Sequence, residues 1–243
     1  MMTEKKIVRG IVLNSCDYKE KDKLCQIFTV ELGKITAVIK NCKSTSAKLK
    51  FASQPLCFAE FSLVTLGKFY QVVDAKLIDS FFDVTKQLTT YYISYLMLEL
   101  VDVSVQQEEQ NAGLFITLIN ALKHVCYDNL PVYFVALKFC ESILDNLGYK
   151  LEFKKCSSCN LPFTNKVFFN VDTCEFVCNS CKSSESLMIS NQAFACAKIV
   201  ENTEFSRLST IKIPQDVAKE AVVILCKGVE RKQFKMIRSL KFI

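Results

Sequence analysis

Four cysteines, Cys156-Ser-Ser-Cys159 and Cys178-Asn-Ser-Cys181, form two CxxC pairs with eighteen residues between them. A CxxC turn brings two thiolates to one edge of a tetrahedron and a second turn supplies the opposite edge, which is the ligand set of a structural zinc ion. Four thiolates close the shell and leave no position for water, so a metal held this way folds a lobe and does not catalyse. Cys174 lies four residues before Cys178 and is an alternative ligand, although pairing it with Cys178 makes a less regular knuckle. A redox role for the CxxC pairs would need a thioredoxin-like βαβ context, which the flanking sequence lacks. Cys16, Cys25, Cys42, Cys57, Cys126, Cys140, Cys196 and Cys226 are scattered singly and read as small buried hydrophobes or incidental thiols. Thirteen cysteines in a chain of 243 residues, an odd count, point to a reducing cytoplasm rather than to a disulfide scaffold.

The second constellation is Lys34, Lys40, Lys43, Lys48 and Lys50, in a stretch from Leu32 to Ala59 that contains no acidic residue. Lys43-Ser44-Thr45-Ser46-Ala47-Lys48-Leu49-Lys50 reads as an exposed loop between two strands, polar enough to follow a phosphate backbone. A solvated loop that only keeps the protein soluble is the plainer alternative. Phe51, Phe58, Phe69 and Tyr70 are candidates for stacking on bases, but strand aromatics more often belong to the core. Lys227, Arg231, Lys232, Lys235, Arg238 and Lys241 form another basic cluster, read as the polar face of a last helix ahead of a dedicated DNA contact. Net charge is +6, and it is uneven. Residues 1–80 carry 13 basic and 8 acidic groups, residues 81–155 carry 6 and 9, and residues 156–243 carry 12 and 8. A polyanion is therefore expected to approach the two ends and not the middle.

Signals for bond chemistry are weak. His124 is the only histidine, on a helical stretch without an evident acid–base partner, and Glu108-Glu109 stands in a turn between helices. No Walker loop, GxSxG elbow, HExxH motif or dinucleotide fingerprint occurs, so the chain is expected not to be an enzyme. No apolar run approaches the roughly 18 residues of a membrane span, and Met1-Met2-Thr3-Glu4-Lys5-Lys6 has no apolar core of a signal peptide behind it.

The elements that must carry these groups follow from periodicity. Ile7–Leu13, Leu24–Val30, Ile35–Lys40, Leu56–Thr65 and Phe69–Leu77 are rich in β-branched and aromatic residues, and five short strands predict a small barrel. Beyond about Asp83, apolar residues recur at three- and four-residue spacing near 86–104, 112–127, 131–147, 190–202 and 215–228, with a further short helix expected near 230–239. Pro131 and Pro214 suit helix starts, and Gly148 suits a helix end. The fold class is α+β: a barrel domain over 1–80, then an all-helical domain over 81–243 into which the zinc lobe, 156–181, is inserted.

Strands, lysine loop, helices and cysteine pairs in this order resemble the bacterial RecO family of DNA repair proteins over nearly the whole chain. Gly33-Lys34-Ile35-Thr36-Ala37-Val38-Ile39-Lys40, Gln54-Pro55-Leu56, Phe69-Tyr70-Gln71-Val72 and Arg238-Ser239-Leu240-Lys241-Phe242 carry the likeness. Where family members often have a glycine after the first CxxC this chain has Asn160, and where they have paired glycines before the second it has Cys174-Glu175. The resemblance implies an N-terminal OB fold that binds single- and double-stranded DNA, and a recombination mediator that anneals complementary strands. It further implies work on strands coated by single-stranded-DNA-binding protein (SSB), with RecR and sometimes RecF, to load RecA, in a nucleoid-associated cytoplasmic setting. Backbone contacts are then expected from Lys34, Lys40, Lys43, Lys48 and Lys50, with Arg9 as a neighbour. A zinc-stabilised protein-interaction module without DNA activity is the alternative reading.

Overall fold

The computed structural model describes residues 5–128, 130–164 and 166–243; Met1–Glu4, which open the stretch read above as lacking a signal peptide's core, lie outside them. Five strands, β1 (Lys6–Tyr18), β2 (Asp22–Thr29), β3 (Gly33–Ile39), β4 (Phe58–Leu66) and β5 (Phe69–Asp79), close into a barrel in the order β1-β2-β3-β5-β4. All neighbours are antiparallel except β3 and β5, which run parallel from Ala37↔Tyr70 to Ile39↔Val72. Closure removes the open sheet edges that would otherwise pair with another chain. Alternation places Val8, Ile27, Ile35, Ala37, Phe61, Leu63 and Val72 in the barrel core, where all are buried. A register shift at Val12/Asn14 bends β1 between its two partners.

Two compact units divide the chain, and the first takes in Val105–Ile116 as well as the barrel. This segment lies on the β2–β3 hairpin: Glu108 N–H donates to Lys34 O, Gln107 Nε2 to Gln26 Oε1, and Gln110 Nε2 to Glu31 O. The Phe115 ring packs 5.6 Å from Phe28 and 5.9 Å from Phe58. Gly33, at φ +68°, turns the hairpin where any Cβ would overlap the Glu109 carbonyl, so only glycine fits both the turn and the contact.

The second unit comprises Asp83–Ser104 and Thr117–Ile243. Its helices come from α1 (Leu88–Ser104), the part of α2 (Ala112–Cys126) beyond Ile116, α3 (Val132–Asn146), α4 (Asn191–Glu201) and α5 (Gln215–Gln233). Pro131 and Pro214 occupy the N-cap positions of α3 and α5, and Ser190 Oγ caps α4 by accepting from Ala193 N–H. Between α3 and α4 lies a three-stranded antiparallel sheet of order β7-β6-β8, from β6 (Val167–Asn170), β7 (Glu175–Cys178) and β8 (Ser186–Ile189). The separate helix expected near 230–239 does not form. Instead α5 runs on to Gln233, Phe234 caps it with a left-handed φ of 50°, and the chain resumes as a 3-10 turn at Arg238–Phe242. No described helix is long and apolar enough to cross a membrane.

Candidate nucleic-acid interface and metal centre

The barrel splits the expected lysine set between its two ends. Arg9 and Lys34 sit at the β2–β3 turn, where Val30 N–H donates to Arg9 O and Arg9 Nε lies 3.6 Å from Glu31 Oε1. Lys43 belongs to the other end, beside the β1–β2 turn, with its N–H on Lys21 O and its ammonium on Asp17. From Arg9 to Asp17 is eight residues along β1, on the order of 25 Å of strand, which sets Arg9 apart from Lys43, whereas Lys48 reaches Asp74, which pairs with Ser62 and through it with Ile7, two residues from Arg9. Lys34 is corrected: bridged to Gln107 and 4% exposed, it presents no ammonium to a phosphate backbone.

The remaining lysines, Lys40, Lys43, Lys48 and Lys50, are all exposed. Although their own stretch holds no acid, strands on either side supply two. Lys43 Nζ is 2.8 Å from Asp17 Oδ2, and Lys48 Nζ is 3.4 Å from Asp74 Oδ1. Each lysine, by hydrogen bond and charge, holds its carboxyl below the usual range. Among the described residues Lys40 and Lys50 have no carboxylate partner. The β1–β2 turn adds Lys19, Lys21 and Lys23 to this end, with Asn41 N–H bound to Asp22 Oδ1. Their alternation with Glu20 and Asp22 hides them in a charge count, and only the register Lys23↔Ile39 brings them beside the loop.

The candidate aromatics mostly serve the barrel. Phe51 and Tyr70 pack against its core, Phe58 packs on Phe115, and Lys6 Nζ lies 5.9 Å from the Tyr70 ring centroid. His124 has the partner that sequence reading missed, one helical turn on: Nδ1 is 2.6 Å from Asp128 Oδ2, and its ring stacks 5.8 Å from Phe205.

The four cysteines of the CxxC pairs converge, with their Sγ atoms all within 4.8 Å of one another. A tetrahedral ion bonded at about 2.3 Å sets sulfurs about 3.8 Å apart, and Cys159 Sγ lies 3.9 Å from Cys178 Sγ, so the donor set fits. Both loops turn as metal knuckles do: Asn160 N–H donates to Cys156 O, Cys181 N–H to Cys178 O, and Cys178 N–H to Cys156 Sγ. Burial opposes ionisation of Cys156, yet hydrogen bonds from Cys159, Cys178 and Ser158 outweigh it and draw the thiol down to about 6. Hydrogen bonds to Cys178 and Cys159 push Cys181 up to about 12. Backbone N–H groups thus favour a thiolate at Cys156, and the protons on the neighbouring thiols are the ones a divalent cation would displace.

Asn160 and Cys174 adopt φ of +61° and +56°, so this chain makes the left-handed turns without glycine. Cys174 is outside the cluster. It is fully buried, against the α5 backbone at Gly228, and burial pushes its thiol up to about 11. Behind the cluster, Phe153, Phe163 and Phe176 converge on Phe194 of α4 at ring separations of 4.9 to 5.5 Å, which ties the lobe to the helices.

A closed five-stranded barrel bearing exposed lysines, followed by a helical part with a cluster of four cysteines that could hold a metal ion, defines the class: a two-unit protein of barrel and cysteine-knuckle type. Comparison narrows this to one family. The model described as recombination protein O N terminal matches residues 2–81, the one described as recombination protein O C terminal matches 85–240, and the chain belongs to the RecO family. The DNA repair protein RecO of Caldicellulosiruptor saccharolyticus is 33% identical over 239 residues, covering 97% of both chains. That of Clostridium perfringens strain 13 is 28% identical over 238 residues, covering 96% of each, and that of Clostridium novyi is 24% identical over 233 residues, covering 96% of this chain and 91% of the relative.

Proposed function

We propose that this chain is a DNA repair protein that binds single- and double-stranded DNA through the lysine end of its barrel and anneals complementary strands. The observation that carries the reading is the exposed group Lys40, Lys43, Lys48 and Lys50 on a closed barrel, in a chain of the RecO family. Annealing needs two backbones neutralised while base edges stay free to pair. Mobile ammonium groups do this without sequence-reading pockets, and the energy comes from released counterions. The chemistry is association, with no bond made or broken. On the same reading RecR, with or without RecF, and SSB are partners in placing RecA on gapped DNA in the cytoplasm. Cys156, Cys159, Cys178 and Cys181 would hold a zinc ion, which supplies a fixed tetrahedral cross-link and nothing else.

Labelled complementary oligonucleotides incubated with the protein at several salt concentrations test the proposal. Annealing that weakens with salt is expected. Replacing Lys43, Lys48 and Lys50 with alanine should weaken binding to all sequences and lower the log–log salt slope by about 0.7 to 0.9 per lost phosphate contact. A folded triple variant with an unchanged slope would remove these lysines from the interface; binding without annealing would overturn the annealing activity, and no salt-sensitive binding would favour the interaction-module reading.

A further inference from the structure

Phe234 is 92% exposed, the most exposed large apolar residue among those described, and Met236 beside it is 78% exposed. The position is not a frayed end. Phe234 takes a left-handed φ of 50°, which a β-carbon disfavours, as the C-cap of α5. Glu230 fixes the turn that follows, accepting from Ile237 N–H at 2.7 Å with one oxygen and from Lys227 Nζ at 2.7 Å with the other. Glu99 then anchors the next turn, accepting from Arg238 N–H at 2.8 Å, Ser239 N–H at 2.8 Å and Ser239 Oγ at 2.6 Å. Two carboxylates therefore hold the backbone in a conformation whose result is a phenyl ring in water.

The ring borders a groove of about 760 Å³ with an apolar floor that includes Val171, Leu187 and Val223. Its charges are of one sign once pairs are removed. Lys227 is bound to Glu230, and Arg231 to Asp172 and Glu185, which leaves the exposed Lys235, Arg238 and Lys241 along the rim without a carboxylate partner on their side chains among the described residues. An exposed aromatic face flanked by unneutralised cations is the arrangement on which a base stacks while its phosphates are held. A ring free on both faces suits a base better than a peptide side chain, which would seat in an enclosed pocket.

We propose that this surface is a second binding site for single-stranded nucleic acid, with Phe234 as the stacking platform and Lys235, Arg238 and Lys241 as phosphate contacts. It does not depend on the barrel lysines, and it gives an annealing protein a separate place for a second strand. The chain contains no tryptophan, so Phe234→Trp makes the indole the sole reporter of its own site. In a background carrying Lys40, Lys43, Lys48 and Lys50 as alanine, titration with oligothymidylate should quench that indole saturably. In the same background Phe234→Ala should weaken oligothymidylate binding by about 5- to 150-fold, and Lys235→Ala with Arg238→Ala should lower the salt slope by about 1.4. Quenching in this background supports the second site whatever the barrel lysines do. An unquenched indole with unchanged affinity in Phe234→Ala overturns it, as does quenching by an oligoglutamate peptide and not by the oligonucleotide, or a signal that follows protein concentration alone.

Discussion

Lys43 Nζ rests 2.8 Å from Asp17 Oδ2, so the central lysine of the barrel loop is already partnered before any polyanion arrives. Lys48 stands in the same relation to Asp74 at 3.4 Å. A phosphate that takes either ammonium must displace a carboxylate, and the exposed pair offers little resistance because its own net energy is small. Asp17→Asn together with Asp74→Asn should therefore tighten single-strand binding several-fold at low salt and less at high salt, with the melting temperature essentially unchanged. Fluorescence anisotropy across a salt series, with thermal melts alongside, checks both halves. Weaker binding by the double variant would mean that the carboxylates orient the lysines and do not compete for them.

Removal of one thiolate should unfold the lobe and leave the barrel. Cys159→Ser leaves three sulfurs where a closed tetrahedron needs four, and loss of a structural metal belongs to the largest class of destabilising changes, about 4 kcal/mol or more. One zinc per chain is expected by elemental analysis of the wild type, and none in the variant. Strong chelators should reproduce the effect on wild-type protein. Full thermal stability in metal-free wild-type protein would refute the structural role.

The cysteine quartet was legible because ligand spacing is set by the metal and needs no tertiary knowledge. The barrel strands were legible because their β-branched and aromatic residues come in short runs, as half-buried pleated strands require. Pairing across the barrel was not. Asp17 and Asp74 lie 26 residues from the lysines they meet, so a stretch without internal acids looked unneutralised. Lys34 shares its parity with the exposed Lys40 just past β3, and its burial accompanies the docking of Val105–Ile116 on the β2–β3 hairpin, a contact about 70 residues distant that no local pattern encodes. The short strands β6, β7 and β8 were hidden for another reason: at four residues each they are too brief to show a period.

The lobe also has a steric tie to α5. A β-carbon at Gly228 would come within 2.8 Å of Phe169 Cε1 and 2.9 Å of Cys174 Sγ, closer than such atoms approach, so helix and lobe meet backbone to side chain. Gly228→Ala should cost about 1–3 kcal/mol through overpacking, against the small gain in helix propensity that alanine would bring on an open surface. Because Cys174 is not among the clustered sulfurs, the metal should stay at one per chain while the melting temperature falls. Cys174→Ala in the Gly228→Ala background should recover part of the loss by making room, and an additive further loss would show that the contact is not the cause.

Glu141, on α3, gives the pH dependence. It is 7% exposed, and neither carboxylate oxygen has a hydrogen-bond partner among the described residues. Burial raises its pKa well above the ordinary value of 4.5; Lys138 opposes the shift and Glu201 adds to it. Lys138 does not neutralise it, because its ammonium is committed to the carbonyls of Val200 and Glu201 at the end of α4. The folded protein thus keeps a proton that the unfolded chain releases above its ordinary carboxyl pKa. With more protons bound in the folded state, stability must fall as pH rises from about 4.5 up to the raised pKa, by at most about 1.4 kcal/mol per pH unit for one group. Glu141→Gln cannot ionise, so it should remove this slope and be the more stable protein at neutral pH, while matching the wild type near pH 4. Urea unfolding of both proteins across pH 4 to about 8 measures the difference. Parallel curves for the two would show that Glu141 is ionised in the fold and that a partner reaches it.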